Sequence, residues 1–191
     1  MDRRKLVAEL LEKRGGLLVI TGIGSATYDV AACGDDARNF YIWSGLGCTP
    51  SVGLGLALAR PDRRVAVITG DGDVLMALGS LATIGIKQPK NLSIVCLDNG
   101  HYSATGMQPS ATSAGIDLAA AAAGLPFSRR IGRRPVTRRR AADAVAFRRG
   151  AAVHPRPRRC RRSEAHHPEP RRAGDQAALH AGVVEARVIA N

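Results

Sequence analysis

The sequence predicts an α/β fold, an open parallel sheet flanked by helices, and two observations carry that prediction. Short apolar runs at 17–21, 64–69 and 92–97 alternate with helical segments. These runs are mostly apolar rather than apolar at every second position, which suits strands buried on both faces.

Residues 2–14 form the first expected helix, with Leu6, Val7, Leu10 and Leu11 on one face and Gly15-Gly16 as its stop. The run 17–21 is the first strand, which meets Gly22, Gly24 and Ser25 and leads into a helix ending at Ala32. Residues 39–43 read as a strand, and 50–59 as a Gly/Ala-rich helix whose small side chains require a close neighbour. Pro61 and Asp62 turn the chain. A β-branched strand at 64–69, a helical segment at 73–86, a buried strand at 92–97 and an Ala-rich helix at 117–125 complete the pattern. Beyond Leu125 the periodicity stops.

The charge is divided as sharply. The chain of 191 residues carries a formal +12, yet residues 1–128 hold 11 Lys+Arg and 11 Asp+Glu, so the excess lies in 129–191. That tail has 17 Arg and no Lys, together with four of the five His. It reads as Arg/Ala/Pro-rich low complexity, with too little apolar surface to offset its chain entropy, and is expected to be largely disordered. Two parts follow: a domain at 1–128, lacking its last strand and helix, and a tail at 129–191.

Three origins of the tail compete: an out-of-frame reading of a GC-rich gene, an authentic basic arm for nucleic acid, and a surface tail without a specific role. Arginine without lysine favours the first, since out-of-frame codons in such a gene are mostly those of Arg, Ala, Pro and Gly. A neutral domain argues against nucleic acid as the main partner.

Cys33, Cys48, Cys96 and Cys160 show no metal-ligand spacing and no disulfide framework, so reduced, buried thiols are expected. No run approaches 18 apolar residues and the charged N-terminal segment has no apolar signal core, so a soluble, cytoplasmic protein without membrane association is expected.

Glycine-rich loops narrow the chemistry. A GxxxxGK[ST] loop is absent, and the pairs Gly22/Gly24 and Gly70/Gly72 lack the third glycine of a dinucleotide fingerprint. Gly70-Asp71-Gly72 and Asp98-Asn99 are instead separated by 25 residues, room for one helix and one strand. Asp71 and Asn99 therefore stand just past the carboxyl ends of two parallel strands, where open α/β sheets bind ligands. A carboxylate and an amide oxygen there suit Mg²⁺, which takes one or two side chains and completes its shell with phosphate oxygens. Gly70 and Gly72 let backbone approach such a ligand. The plainer reading is turn chemistry: an Asp-capped strand-to-helix turn, and a tight turn at Asp98-Asn99-Gly100.

The stretch GDG, about 25 residues, then DNG followed by an aromatic residue, resembles the magnesium-diphosphate motif of thiamine diphosphate enzymes. "GDGDVLMALGSLATIGIKQPKNLSIVCLDNGHYSATGMQPS" is similar to the diphosphate-binding domain of sulfopyruvate and phosphonopyruvate decarboxylases, notably in LGSLAT and LDNG…TGxQ. The likeness spans roughly 17–125, including "WSGLGCTPSVGLGLALARPDRRV". It implies thiamine diphosphate and Mg²⁺ as cofactors, with Asp71, the Asn99 side-chain oxygen and the His101 carbonyl as metal ligands.

The same resemblance sets Gly24, Ser25, Gly70, Gly72, Asp73 and Tyr102 against the diphosphate. Ser44, Gly45 and Leu46 fall in the loop that meets the aminopyrimidine, with Leu46 as the apolar wedge that keeps the cofactor bent; ordinary core packing is the alternative for Leu46. Asp73 departs from the family, which carries an uncharged residue there. A carboxylate beside a diphosphate is unfavourable, so a structural task such as helix capping is the alternative. The activating glutamate of the family belongs to a separate pyrimidine-binding domain, so no catalytic residue is expected in this chain.

The resemblance thus implies the diphosphate-binding subunit of a 2-oxo acid decarboxylase, a lyase acting in a hetero-oligomer with a pyrimidine-binding (alpha) subunit on a small 2-oxo acid. The alternatives are a carboligase of the same superfamily, a truncated product without function, and a basic-tailed nucleic-acid binder.

Overall fold

The computed structural model describes residues 2–125 and a strand at 185–190. Asp2 opens the first helix by accepting hydrogen bonds from the backbone N–H groups of Arg4 and Lys5, at 3.0 and 3.3 Å. The elements then run α1 (Arg3–Glu12), β1 (Leu18–Thr21), α2 (Ser25–Ala32), β2 (Asn39–Tyr41), α3 (Thr49–Ala59) and β3 (Val65–Gly70). They continue with α4 (Asp71–Met76), α5 (Ser80–Lys87), β4 (Leu92–Asp98), the two-residue strands β5 (His101–Tyr102) and β6 (Gln108–Pro109), α6 (Leu118–Ala123) and β7 (Glu185–Ala190).

Four strands pair in parallel in the order β2-β1-β3-β4, as the alternation of elements predicts. Helices cover both faces, and each has its own core. On one, Leu6, Val7, Leu10 and Leu11 of α1 and Ala26 and Val30 of α2 meet Val19, Ile68, Val95 and Leu97 of the strands. On the other, Leu54 and Ala57 of α3, Val74 of α4, Leu81 and Ile84 of α5 and Leu118 and Ala122 of α6 meet Ile20, Val65, Val67, Ile94 and Cys96. Every residue of β4 is buried, as its mostly apolar sequence leads one to expect.

Three differences from expectation have physical causes. The helical segment 73–86 is two helices, broken at Ala77–Gly79, where a methyl group on Gly47 would lie 3.2 Å from the Cβ atoms of Met76 and Ala77. The break makes room for the loop that carries Gly47. Among the thiols, Cys96 is buried as expected, whereas Cys33 is half-buried and Cys48 exposed, and Cys160 lies outside the described residues.

The tail differs at its end. Residues 185–190 are not disordered but form β7, antiparallel to β4 from Asp98↔Glu185 to Ile94↔Ala190 with an irregularity between Ile94 and Val95. An unpaired edge on a fully buried strand leaves its N–H and C=O groups without partners, and a short extended segment satisfies them whatever its composition. The rest of the expected low-complexity tail lies outside the described residues.

The strand order locates the ligand-binding edge. From β1 the chain goes to β2 on one side and then crosses to β3 on the other, so the connections diverge between the carboxyl ends of β1 and β3. Gly22 to Ser25 follow one of these strands and Asp71 to Asp73 the other.

Candidate functional site

An open cavity of about 210 Å³ lies at that divergence. Its wall includes Gly24, Ser25, Leu46, Gly70, Asp71, Gly72, Asp73, Asn99, His101 and Tyr102, so ten of the twelve residues expected from the sequence meet around one space. Ser44 and Gly45 are exposed on the loop just before, outside the wall.

Asp71 is 1% exposed. It does not cap α4, whose N-cap residue is Gly70. Its Oδ2 accepts a hydrogen bond from the Ser110 hydroxyl and lies 3.2 Å from that of Thr112, while its Oδ1 lies 3.4 Å from the backbone N of Asn99. Buried carboxylates are costly without partners, and here the Ser110 hydroxyl holds one oxygen and leaves the other beside Asn99.

The turn at Asp98-Asn99-Gly100 unites the two readings of that stretch. Asp98 builds it, accepting the Gly100 N–H at 3.0 Å and the Thr112 hydroxyl at 2.8 Å, and Gly100 takes the positive φ of +70° that the turn needs. Asn99, next in line, reaches the cavity, and its Oδ1 accepts the His101 N–H at 3.1 Å. The His101 ring is held by its Nδ1, 2.9 Å from the Asn99 carbonyl oxygen.

Asp73 has a structural task. Its Oδ1 accepts the buried N–H of Gly47 and its Oδ2 the hydroxyl of Thr69, at 2.5 Å each. The extra carboxylate therefore hangs the 44–47 loop from the start of α4 and is turned to protein donors. Gly22 closes against the same cluster, since a Cβ there would meet Thr69 Oγ1 at 2.3 Å, Thr49 Oγ1 at 2.8 Å and Asp73 Oδ2 at 2.9 Å. Gly72 is required for a similar reason: an added Cβ would meet the Tyr102 ring at 2.5 Å. Leu46 is 37% exposed at the cavity mouth, so it is not core.

The donor set fits a hard cation bound with a diphosphate. Of the two buried carboxylates on the wall, Asp73 is engaged by Gly47 and Thr69, which leaves Asp71 beside the Asn99 amide, and among the described residues no group of three His, Cys, Asp or Glu side chains forms a metal cage. A single-carboxylate site of this kind suits Mg²⁺ completed by phosphate oxygens. Gly24, at φ +99°, and Gly70 bring side-chain-free backbone to the wall, with nothing nearer than 3.9 Å to a Cβ at either.

The sequence carried no signal for Thr69, Thr112 or the pairing of Arg3 with Asp29, because hydroxyls and surface charges are common everywhere. Ser110 follows the TGxQ stretch, and that proximity was its only mark.

The fold and this cavity define a cofactor-binding domain, and comparison with known families agrees. Residues 22–154 match the thiamine pyrophosphate enzyme, C-terminal TPP binding domain, and the chain belongs to that family. It is 41% identical over 115 residues to the sulfopyruvate decarboxylase subunit beta of Methanocaldococcus jannaschii, covering 60% of this chain and 59% of that one. It is 42% identical over 104 residues to the subunit of the same name from Methanothermobacter thermautotrophicus, covering 52% and 56%. It is also 42% identical over 114 residues to the phosphonopyruvate decarboxylase of Streptomyces viridochromogenes, covering 60% and 28%. The matched region spans less than two thirds of each of these relatives.

Proposed function

We propose that this chain is the thiamine diphosphate- and Mg²⁺-binding subunit of a 2-oxo acid decarboxylase of the sulfopyruvate or phosphonopyruvate type, completed by a pyrimidine-binding subunit. The observation that carries this reading is the buried Asp71 carboxylate beside Asn99 in a cavity at the point where the sheet's connections diverge. The relatives' names support decarboxylation over carboligation, and the word "subunit" in two of them supports a hetero-oligomer.

In this reading Asp71, the Asn99 side-chain oxygen and the His101 carbonyl hold Mg²⁺. Gly24, Ser25, Gly70, Gly72 and Tyr102 surround the diphosphate. Asp73 contributes through its backbone, its carboxylate being engaged by Gly47 and Thr69. Ser44, Gly45 and Leu46, exposed as a recognition loop must be, face the aminopyrimidine. When bound, the cofactor supplies an electron sink for the loss of CO₂ from a 2-oxo acid. The residues of this chain position it, and the glutamate that activates it comes from the partner.

The test is thermal unfolding of the full chain purified with its co-expressed partner. Thiamine diphosphate should raise the midpoint only when Mg²⁺ is present, and Asp71→Ala should remove the shift. No Mg²⁺-dependent shift in the wild-type complex would overturn the reading.

A further inference from the structure

Arg3 is the one Lys or Arg on the cavity wall among the described residues. In the sequence it is only a residue of the first turn of a helix. In the fold, Arg3 Nε donates to Asp29 Oδ2 and Nη2 to Asp29 Oδ1 at 3.3 Å, which uses one edge of the guanidinium. Asp29 is 2% exposed and sits four residues after Ser25 on α2, so the two side chains stand one turn apart on one helix face. Arg3 shares the cavity wall with Gly24 and Ser25.

The buried acid does not use up the whole guanidinium. Arg4 Nε also lies 3.6 Å from Asp29 Oδ1, so this one carboxylate faces two guanidiniums, of which Arg3 alone reaches the cavity wall. The same wall carries the buried carboxylate of Asp71. An anionic ligand entering this space meets it as a repulsion, which a divalent cation offsets at Asp71 and a fixed cation elsewhere on the wall offsets further. Arginine suits that place because its planar fork binds Asp29 along one edge while Nη1 has no partner among the described residues.

We propose that Arg3, oriented by Asp29, is a direct contact for the terminal phosphoryl group of the diphosphate held in this cavity. This rests on the diphosphate-binding reading above and assigns it a cation outside the Asp71 to Asn99 motif. The role is electrostatic and directional, and it asks for no change in the metal's own ligands.

Equilibrium binding of inorganic pyrophosphate and of thiamine diphosphate to the full chain with its co-expressed partner, each with Mg²⁺, tests the contact. Arg3→Gln should weaken both about tenfold, the effect of one charge-assisted hydrogen bond, while Arg3→Lys should keep part of the affinity. Because Arg3→Gln leaves the Asp29 carboxylate less well paired, the double variant Arg3→Gln/Asp29→Asn removes the charge without a bare buried acid. It should unfold near the wild-type temperature without ligand and still bind pyrophosphate weakly.

Wild-type affinity in both charge-removed variants would overturn the Arg3 contact and leave the diphosphate reading standing. Full recovery of affinity in the double variant would reduce Arg3 to a structural partner of Asp29 and equally overturn it. Failure of wild-type protein to bind either ligand with Mg²⁺ would overturn the underlying reading, and the contact with it.

Discussion

At the scale of single residues, two aspartates two positions apart do different work because of what surrounds them. Asp71 meets the hydroxyls of Ser110 and Thr112 and keeps an oxygen beside Asn99, whereas Asp73 has both oxygens engaged by Gly47 and Thr69. Asp73→Ala should therefore act on stability before it acts on the metal. It leaves the buried Gly47 N–H and the Thr69 hydroxyl without their acceptor, at a cost of about 2–4 kcal/mol read as a lower urea midpoint. Asp71→Ala should instead cost metal-dependent binding above all. Equal stability of Asp73→Ala and wild type would show that the loop 44–47 stays in place without its anchor. The sequence made Asp71 legible because one carboxylate and one amide at strand ends form a rare pattern. It marked Asp73 as anomalous but could not say which donors it meets, since Gly47 is 26 residues away.

At the scale of elements, β1, β3 and β4 were readable because each is a mostly apolar run, and α1 because its apolar residues recur on one face. The break at Ala77–Gly79 was not readable, since it answers a tertiary demand, the approach of Gly47, rather than a local preference. The close neighbour required by the Gly/Ala-rich helix α3 is β3. A Cβ on Gly53 would lie 2.2 Å from Val67 Cγ2, well inside contact distance. Gly53→Ala should destabilise the domain by about 1–3 kcal/mol through overpacking, although alanine favours helices. A chemical-denaturation midpoint at or above the wild-type value would show that α3 can move off the sheet. The strand β7 was illegible because edge pairing uses backbone groups, which every sequence possesses.

At the scale of the whole molecule, titration separates two buried or paired acids with opposite signs. The Arg38 side chain, hydrogen-bonded to Asp36, holds that carboxyl well below its ordinary value of 3.8, so its stabilisation is present above that pH and is lost as the pH falls below it. Burial pushes Asp29 up, against the pull of Arg3 and Arg4, so its contribution is most favourable below 3.8 and declines as the pH rises through its folded value. Arg38→Ala should flatten the loss of stability on acidification below about pH 4, as urea midpoints measured across that range would show. An unchanged acid limb would mean that Asp36 contributes nothing to it. No helix among the described residues is long and apolar enough to cross a membrane.

The divergence of connections between β1 and β3 also divides the labour of the chain. Nearly every side chain proposed to touch the cofactor or metal stands on a segment after a strand end, whereas the strands spend theirs on packing. Framework and cavity are therefore editable apart: the loops can change without recasting the sheet, and the sheet can drift in sequence without disturbing the cavity wall.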